Sequence, residues 1–314
     1  KDRVTGYRNF ITKIWSANNF LKINKCKYNK KIDVKKIKLK INHWIYTEFC
    51  KTNELINKHI QDFRFDEASR VLYNFVWHSY CDWYLEFLKP IFFSKKKSSI
   101  NEAKQFSSYM LLNILKLLHP FIPFFTEHVW SENKFDKEEK TNLITSSWPI
   151  PKKIKSYKKN SAEIDCIIDI ITSIRSTKVQ LNVPPKEYCD IVYFKESIKI
   201  KKIINNNIDI IKQVGRVNSV ISKQDENNSL IQIIILKEKI GLKFETNIDL
   251  NSQKDKLISK LNELEKKIIF LNQKLNNKNY IDKAPKDIVS NDKILLKDLK
   301  IEQTKLKSIV TSIN

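Results

Sequence analysis

The scarcity of glycine is the feature that most limits what this chain can fold into. Its 314 residues include only Gly6, Gly215 and Gly241, and none occurs between Tyr7 and Val214. A long stretch without glycine and with few prolines is typical of a helix bundle, because both residues disfavour helix interiors. A phosphate cradle or a dinucleotide-binding fold needs glycines beside the phosphates. The sequence therefore predicts a mainly α protein without an ATP-binding unit of its own.

The run from Leu72 to Pro90 is the densest aromatic stretch, and we predict that it forms a core helix. Its apolar side chains recur at helical spacing, and Pro90 is expected to end the helix. Similar spacing predicts helices over residues 5–24, 42–58 and 103–118. These elements define a helical-bundle domain over residues 1–157.

Residues 158–248 have a different sequence pattern, which predicts a small α/β junction module. Tyr188–Phe194 and Leu230–Leu236 are rich in β-branched residues and predict two strands. Ile198–Val214 predicts a helix between them, which we expect Gly215 to end. The pattern leaves the sheet order open.

The region 249–314 contains the most regular pattern of the chain. Apolar residues there are spaced by three, four or seven residues in two heptad runs, and Lys254 occupies the one polar position of the first run. The first run is Leu250, Leu257, Leu261, Leu264, Ile268, Leu271 and Leu275, and the second is Ile288, Leu295, Leu299, Leu306, Ile309 and Ile313. Two heptad helices joined by one loop predict a C-terminal antiparallel coiled-coil hairpin, with a dimerising coiled coil as the alternative.

The net charge of +23 favours an anionic partner, and nucleic acid first. Only six of the 58 basic residues are arginine, and a chain rich in Lys, Asn and Ile is typical of an A+T-rich genome, so part of this charge reflects composition. Residues 1–60 nevertheless hold 15 basic and 4 acidic side chains, which predicts that the anionic partner binds near this end.

Cysteine usage favours a reducing compartment. The five cysteines and five histidines are scattered without metal-ligand spacing, so we expect no metal site, no disulfide framework and a cytoplasmic protein. No apolar run is long enough for a membrane span. The chain begins at Lys1 and its only methionine is Met110, so we expect a piece of a longer product.

Several motifs occur in an order that resembles one protein family. They are Gly6-Tyr7-Arg8-Asn9-Phe10, Lys13–Phe20, His43-Trp44-Ile45, Asp82-Trp83-Tyr84-Leu85-Glu86, Leu118–Glu127, Trp148-Pro149 and Lys283-Ala284-Pro285. Over essentially the whole chain they are similar to the C-terminal part of the valyl-tRNA synthetase family, within class I. The terminal hairpin favours the valyl family, because isoleucyl relatives commonly end in a cysteine-bearing zinc module.

This resemblance implies the tRNA-binding portion of an ATP-dependent valine–tRNA ligase. Catalytic and editing domains would precede Lys1 and would use ATP and Mg²⁺, so no catalytic residue or cofactor is expected in this chain. The implied partners are tRNA(Val) and those domains of the same polypeptide, in a monomer. The alternatives are an isoleucyl- or leucyl-type synthetase fragment, and a non-enzymatic basic coiled-coil protein that binds RNA or acts as a scaffold.

The resemblance also implies which residues meet the tRNA. Arg8, Lys13 and Phe20 would bind the anticodon, with Phe20 as a stacking platform for a base. This sequence departs from the family's usual Asn-Ala-Ser-Arg-Phe motif, because Asn19 stands where the family has arginine. A phosphate contact by that arginine is therefore not carried over to position 19.

The hairpin would lie against the tRNA elbow. Its tip residues Lys278, Tyr280, Lys283 and Lys286 are the expected contacts. Asp82 and Glu127 belong to family motifs, and we predict structural hydrogen bonds for both rather than acid–base chemistry.

Overall fold

The computed structural model describes residues 2–194, 198–222, 230–236, 238–244, 250–277, 280 and 286–312. The described chain is mainly helical with one small sheet, as the sequence predicts. It divides into two compact units, residues 1–168 and 169–314, and the boundary falls inside a long helix.

The first unit is a helix bundle. In chain order its helices are α1 Asp2–Ile23, α2 Lys40–Gln61, α3 Phe65–Asn74, α4 Leu85–Phe92, α5 Lys97–Leu118, α6 Pro123–Glu132, α7 Phe135–Glu139 and the start of α8 Tyr157–Gln180. Short 3₁₀ turns occur at Val34–Lys36 and Leu143–Thr145.

One continuous helix from α3 to α4 forms the centre of this bundle. Its middle part, Phe75–Tyr84, is π-helical, and the N–H of Leu85 donates to the carbonyl of Tyr80, five residues earlier. The prediction that Pro90 ends the helix is wrong, because Pro90 lies inside α4. Proline removes one N–H donor and its ring crowds the carbonyl four residues earlier, and the helix ends two residues further on, at Phe92.

The aromatic rings of this helix lie in the core, as the sequence predicts. Tyr80, Tyr84 and Phe87 are buried, and the rings of Tyr80 and Tyr84 stack at 5.8 Å between centroids. Tyr84 donates its hydroxyl to Oδ1 of Asn42 at 2.8 Å. Trp44 meets Phe87 edge to face at 6.1 Å. The stretch therefore holds the bundle together and offers little surface to a ligand.

Glu102 on α5 closes the N-terminal end of α2, whose N-cap makes no side-chain hydrogen bond. Its carboxylate accepts hydrogen bonds from the backbone N–H groups of Lys38 and Leu39 at 3.0 and 2.8 Å, and from Nδ2 of Asn42 at 3.0 Å. A carboxylate at a helix N-terminus satisfies unpaired donors and interacts favourably with the helix dipole. Glu102 therefore ties α5 to α2.

Replacing Glu102 by alanine is expected to lower the free energy of unfolding by about 1–2 kcal/mol, because three donors lose their acceptor. Urea denaturation of wild type and variant measures this loss. Glu138→Ala removes an exposed carboxylate of α7 and serves as the control, with an expected change within about 0.5 kcal/mol. Equal midpoints for Glu102→Ala and the control would contradict the capping role.

The second unit contains a four-stranded mixed sheet. Its strands are β1 Cys189–Tyr193, β2 Val217–Ser222, β3 Ile231–Ile235 and β4 Glu238–Phe244, in the spatial order β2-β1-β4-β3. Strand β1 is parallel to β2 and antiparallel to β4, which also pairs antiparallel with β3. Helices α9 Ile198–Asn206 and α10 Ile208–Gly215 connect β1 to β2.

The two strands predicted from the sequence are confirmed, whereas β2 and β4 were missed. Polar and charged residues interrupt the apolar pattern of β2 and β4, which leaves a weak strand signal. The single helix predicted between the strands is two helices that meet at Asn207. Helix α10 ends at Gly215 as predicted, but the left-handed residue that follows is Arg216, with φ of 53°.

The C-terminal region forms an antiparallel helical hairpin of α11 Leu250–Asn276 and α12 Lys286–Ser312. The antiparallel direction follows from the contacts between the two helices, because the end of α11 lies beside the start of α12 and earlier residues of α11 lie beside later residues of α12. These contacts are Lys274 with Asp292, Glu265 with Gln303 and Lys260 with Glu302. Helix α12 also packs against β3.

The inward positions of α11 follow the predicted spacing. Leu264, Ile268 and Leu271 are buried, and Leu261 and Leu275 are half-buried.

The spacing predicted for α12 is wrong in its first half. Ile288 and Leu295 are 44% and 48% exposed, whereas Val289 is buried and Leu296 is half-buried. Counting from Val289, alternating spacings of three and four reach Asp292, Leu296, Leu299, Gln303, Leu306 and Val310. Two of these inward positions are polar, so a search for apolar residues alone cannot detect them. The side chains of Leu250, Leu257, Ile309 and Ile313 lie outside the described part.

Candidate nucleic-acid interface

Helix α1 presents a solvent-facing ridge with basic and aromatic side chains along its edges. It buries Phe10, Ile14, Ala17 and Leu21 at spacings of four, three and four residues, which leaves the opposite face open. Arg8 is exposed on α1, whereas Lys13 and Phe20 are half-buried. The structure therefore places all three predicted anticodon residues on this one helix.

The ammonium group of Lys13 is held by the π-helical segment. Its Nζ lies 2.5 Å from Oδ1 of Asp82 and 3.8 Å from the ring centroid of Trp77. Asp82 also lies 3.2 Å from Nδ1 of His78. The side chain of Lys13 keeps 26% of its surface exposed. Lys13 is therefore fixed at the edge of the ridge by its ion pair with Asp82, and part of its side chain remains accessible.

Phe20 is supported from below by α4. Its ring centroid lies 6.0 Å from that of Phe92 in a tilted arrangement, and both side chains are half-buried. The neighbouring Phe93 is 82% exposed. The ring of Phe20 is therefore held by its contact with Phe92 and is still accessible to solvent. Base stacking needs an aromatic ring with this combination of support and accessibility.

A second aromatic group lies at the other edge of α1 and was not predicted from the sequence. Trp15 stacks on His128 at 5.8 Å and lies 6.5 Å from Phe125, while Phe124 is 92% exposed. The helical spacing of Phe10, Ile14 and Trp15 predicts that Trp15 faces inward, but the structure leaves it half-buried. The available signal was its residue type, because tryptophan with its polar edge favours the rim of a core.

Side-chain hydrogen bonds fix the end of α1 against α6. Asn18 donates to Oε2 of Glu132 at 2.8 Å and accepts from Nδ2 of Asn133 at 2.7 Å. Lys22 lies 2.5 Å from Oε1 of Glu132. Hydrogen bonds from Lys22 and Asn18 hold the pKa of Glu132 below its usual value. The ridge is therefore presented by a rigid helix.

The motif residues around α6 have structural roles. The type of residue and its place after Pro123 suggest that Thr126 caps this helix, but Thr126 lies inside α6 and donates to the carbonyl of Ile122, and Pro123 is the first residue of the helix. The carboxylate of Glu127 accepts from the backbone N–H groups of Leu143 and Ile144 at 2.9 and 3.2 Å. Glu127 thus makes the structural hydrogen bonds that the sequence predicts.

The predicted contacts at the hairpin tip are only partly within the described residues. Lys278 and Lys283 lie outside them, and so does the side chain of Lys286, whose backbone begins α12. Tyr280 donates its hydroxyl to Oδ2 of Asp292 at 2.7 Å. Lys274 lies 2.9 Å from Asp292 and 4.6 Å from the ring centroid of Tyr280. Tyr280 is therefore anchored to both helices.

This anchor predicts an acid-sensitive hairpin. Hydrogen bonds from Lys274 and Tyr280 hold the pKa of Asp292 below its usual value. A carboxylate whose pKa is lower in the folded state stabilises the fold above its unfolded pKa of about 3.9, and this contribution is lost as the pH falls through the folded pKa. The stability difference between wild type and Asp292→Asn is expected to be constant above about pH 5 and to shrink below about pH 4.

Urea denaturation between pH 7 and pH 2, followed by circular dichroism, measures this difference. Asp298→Asn removes one exposed carboxylate of the same helix and serves as the matched control. A wild-type advantage over Asp292→Asn that persists unchanged at the lowest pH would contradict the anchor.

A row of lysines on α12 was also not predicted from the sequence, which pointed to the residues at the tip of the hairpin. Lys293, Lys297 and Lys300 share one side of the helix because they are four and three residues apart. They line a groove of 410 Å³ together with Leu296, Ile301 and Thr304. None of the three ammonium groups makes an ion pair with a residue that the structure describes. This row, the α12 lysine row, offers three neighbouring cations to a polyanion.

Metal sites and membrane spans are absent from the described part of the chain. No group of three or more His, Cys, Asp and Glu side chains there could hold a metal ion. None of the described helices has the length and apolar character that crossing a membrane requires.

Comparison with known proteins accounts for both regions. Residues 42–193 match the anticodon-binding domain of tRNA ligases, and residues 249–314 match the tRNA-binding arm of valyl-tRNA synthetase. A helix bundle, a small mixed sheet and a basic hairpin with these two matches define the tRNA-binding region of an aminoacyl-tRNA synthetase. Helix α1 precedes the first matched region.

Curated relatives of the chain are valine–tRNA ligases. The valine–tRNA ligase of Pelagibacter ubique (strain HTCC1062) is 40% identical over 301 residues, which cover 96% of this chain and 34% of that protein. The valine–tRNA ligase of Bartonella quintana (strain Toulouse) is 31% identical over 305 residues, 97% of this chain and 33% of that protein. The chain belongs to the valyl-tRNA synthetase family, and it spans about a third of the length of these curated relatives.

Proposed function

We propose that this chain is the tRNA-binding C-terminal portion of a valine–tRNA ligase and that it recognises the anticodon and the elbow of tRNA(Val). The observation that carries the proposal is the pairing of an anticodon-binding domain with a valyl-type tRNA-binding arm in one chain. In the whole enzyme, catalytic and editing domains before Lys1 attach valine to tRNA and hydrolyse errors. Those domains use ATP and Mg²⁺, and the tRNA-binding portion is inactive alone.

Recognition of the anticodon would use the ridge of α1. Bases in a single-stranded loop are read by stacking on aromatic rings, while cations hold the phosphates. Phe20 and Trp15 supply rings at the two edges of the helix, and Arg8 supplies an exposed cation. Lys13 would contact the RNA through the part of its side chain that Asp82 leaves exposed.

Recognition of the elbow would use the hairpin. The α12 lysine row can neutralise successive phosphates, and the exposed side chains of Ile294, Leu295 and Ile301 add apolar area on the same helix. The proposed enzyme acts as a monomer in the cytoplasm.

Preference for valine-accepting tRNA tests the proposal. Binding of the chain to purified tRNA(Val) and to bulk tRNA lacking it is measured at the same salt concentration, because affinity depends steeply on salt. We expect tighter binding to tRNA(Val) and no aminoacylation by the chain alone. Equal affinity for the two samples would favour a non-specific RNA-binding protein.

A further inference from the structure

A basic cleft lies at the end of α1, away from the side chains already discussed. It has a volume of 390 Å³ and is bounded by the loop after α1, by the first turns of α5 and by α7. Its lining consists of Lys25, Lys27, Tyr28, Asn29, Asn101, Lys104, Gln105 and Glu138. Three lysines and three carboxamides face one carboxylate there, so the cleft offers mainly hydrogen-bond donors and positive charge.

The three lysines of this cleft line a single concave site, and they form no ion pair in the described part of the first unit. No ion pair within 4.0 Å joins Lys25, Lys27 or Lys104 to a carboxylate of the described residues. Other lysines of the unit do form such pairs, for example Lys13 with Asp82, Lys22 with Glu132 and Lys40 with Glu163. Three unpaired cations beside one another repel, so an anion between them is favourable.

The backbone of the loop is fixed in the form that builds this cleft. The N–H of Lys25 donates to the carbonyl of Lys22 and the N–H of Cys26 donates to that of Leu21, each at 2.9 Å. Lys25 itself is left-handed, with φ of 57°, as helix ends commonly require. These bonds fix the backbone from which the side chain of Lys25 projects.

Tyr28 anchors the other end of the loop. Its hydroxyl donates to Oε1 of Glu139 at 2.8 Å, and its ring meets Phe135 edge to face at 5.7 Å. Lys30 lies 3.9 Å from the same Glu139 carboxylate. The nearby Glu139 is therefore held by Tyr28 and Lys30, and among the residues that line the cleft the carboxylate is that of Glu138.

The size and chemistry of the cleft select the ligand. Its volume lies near the lower end of the range for ligand pockets, roughly 300–1,000 Å³, which suits one phosphate with its sugar. Donors and cations dominate the lining, so the ligand is an anion with several acceptor oxygens. Glu138 can accept a hydrogen bond from a ribose hydroxyl.

We propose that Lys25, Lys27 and Lys104 bind a phosphodiester of an RNA backbone in this cleft, as a sequence-independent contact. The proposal rests on the proposed function, because it assumes that the RNA reaches the bundle along α1. Lys25 and Lys27 precede the region that matches the anticodon-binding domain, so that match does not account for them. The contact would set the position of the RNA while α1 reads the bases.

The test compares two triple variants of the full chain. The cleft variant carries Lys25→Gln, Lys27→Gln and Lys104→Gln. The control variant carries Lys155→Gln, Lys158→Gln and Lys159→Gln, which removes the same charge from exposed lysines around the start of α8. Binding of tRNA(Val) and of a tRNA with another anticodon is measured over a series of salt concentrations, and thermal melting confirms that both variants are folded.

We expect the cleft variant to bind both tRNAs about tenfold more weakly at about 0.1 M salt, with an unchanged ratio between them and a shallower salt dependence. The control variant should bind nearly as wild type does. Cleft and control variants that bind alike would overturn the proposal, whatever preference wild type shows between the tRNAs. If wild type shows no preference but the cleft variant still weakens both, the phosphate contact stands and anticodon recognition fails.

A free nucleotide is the other source of such a phosphate. Isothermal titration with adenosine monophosphate distinguishes the two ligands. Loss of nucleotide binding in the cleft variant, with tRNA binding as in wild type, would overturn the assignment to an RNA backbone.

Discussion

Replacing Phe20 by alanine is expected to weaken binding of tRNA(Val) by about five- to hundredfold. Stacking of one base on an aromatic ring contributes roughly 1–3 kcal/mol, and alanine removes the ring entirely. The ring is half-buried and braced by Phe92 at 6.0 Å, so it can receive a base without first being ordered. Binding isotherms for wild type and variant with the same tRNA transcript measure the loss.

Phe92→Ala provides the matched control, because it removes the supporting ring and leaves Phe20 in place. If Phe20 receives a base, Phe20→Ala should lose much more affinity than Phe92→Ala, while the two variants lose similar thermal stability. Equal losses of affinity would mean that the pair acts only through packing. Unchanged affinity in Phe20→Ala would remove this residue from the interface.

Neutralising the α12 lysine row is expected to be the second large effect. Lys293→Gln, Lys297→Gln and Lys300→Gln together should weaken binding of tRNA(Val) by at least about tenfold at about 0.1 M salt. Removing one lysine–phosphate interaction should reduce the slope of log K against log salt by about 0.7–0.9, so removing three reduces it by roughly two to three. Substitution is preferable to deletion of the hairpin, because α12 packs against β3 and its removal would uncover the sheet.

The control is again the triple variant at Lys155, Lys158 and Lys159, which has the same net charge. Its salt dependence should match that of wild type. A hairpin variant that retains the wild-type slope would show that the α12 lysine row does not contact phosphates, and the tip would then remain as the candidate for the elbow contact.

The sequence was sufficient for the class of fold, because helix and strand patterns are local. The absence of glycine between Tyr7 and Val214 predicted the bundle, and the spacing of Leu264, Ile268 and Leu271 predicted the inward face of α11. The spacing of apolar residues did not predict the inward face of α12, because Asp292 and Gln303 occupy inward positions there. Asp292 is bonded to Tyr280 and Lys274, and Gln303 donates to Glu265. Polar residues can lie inside when a partner from another element satisfies them, and periodicity does not report the partner.

In the candidate site, too, the sequence predicted the helix that carries the residues but not the contacts between distant parts of the chain. Family resemblance placed Arg8, Lys13 and Phe20 on one helix, and the structure agrees with that placement. The pairing of Lys13 with Asp82 joins residues 69 positions apart, and it depends on how α1 packs against the π-helical segment. The cleft at Lys25, Lys27 and Lys104 likewise needs the loop and α5 to meet, which the sequence alone does not specify.

Exchange of the anticodon tests the proposed recognition most directly. Four transcripts are compared for binding to the chain: tRNA(Val), a second tRNA, and the two hybrids in which their anticodons are exchanged. Affinity is predicted to follow the anticodon, so the second tRNA gains affinity when it carries the valine anticodon, and tRNA(Val) loses affinity with the foreign one. Affinities that follow the tRNA body and ignore the anticodon would contradict recognition by α1.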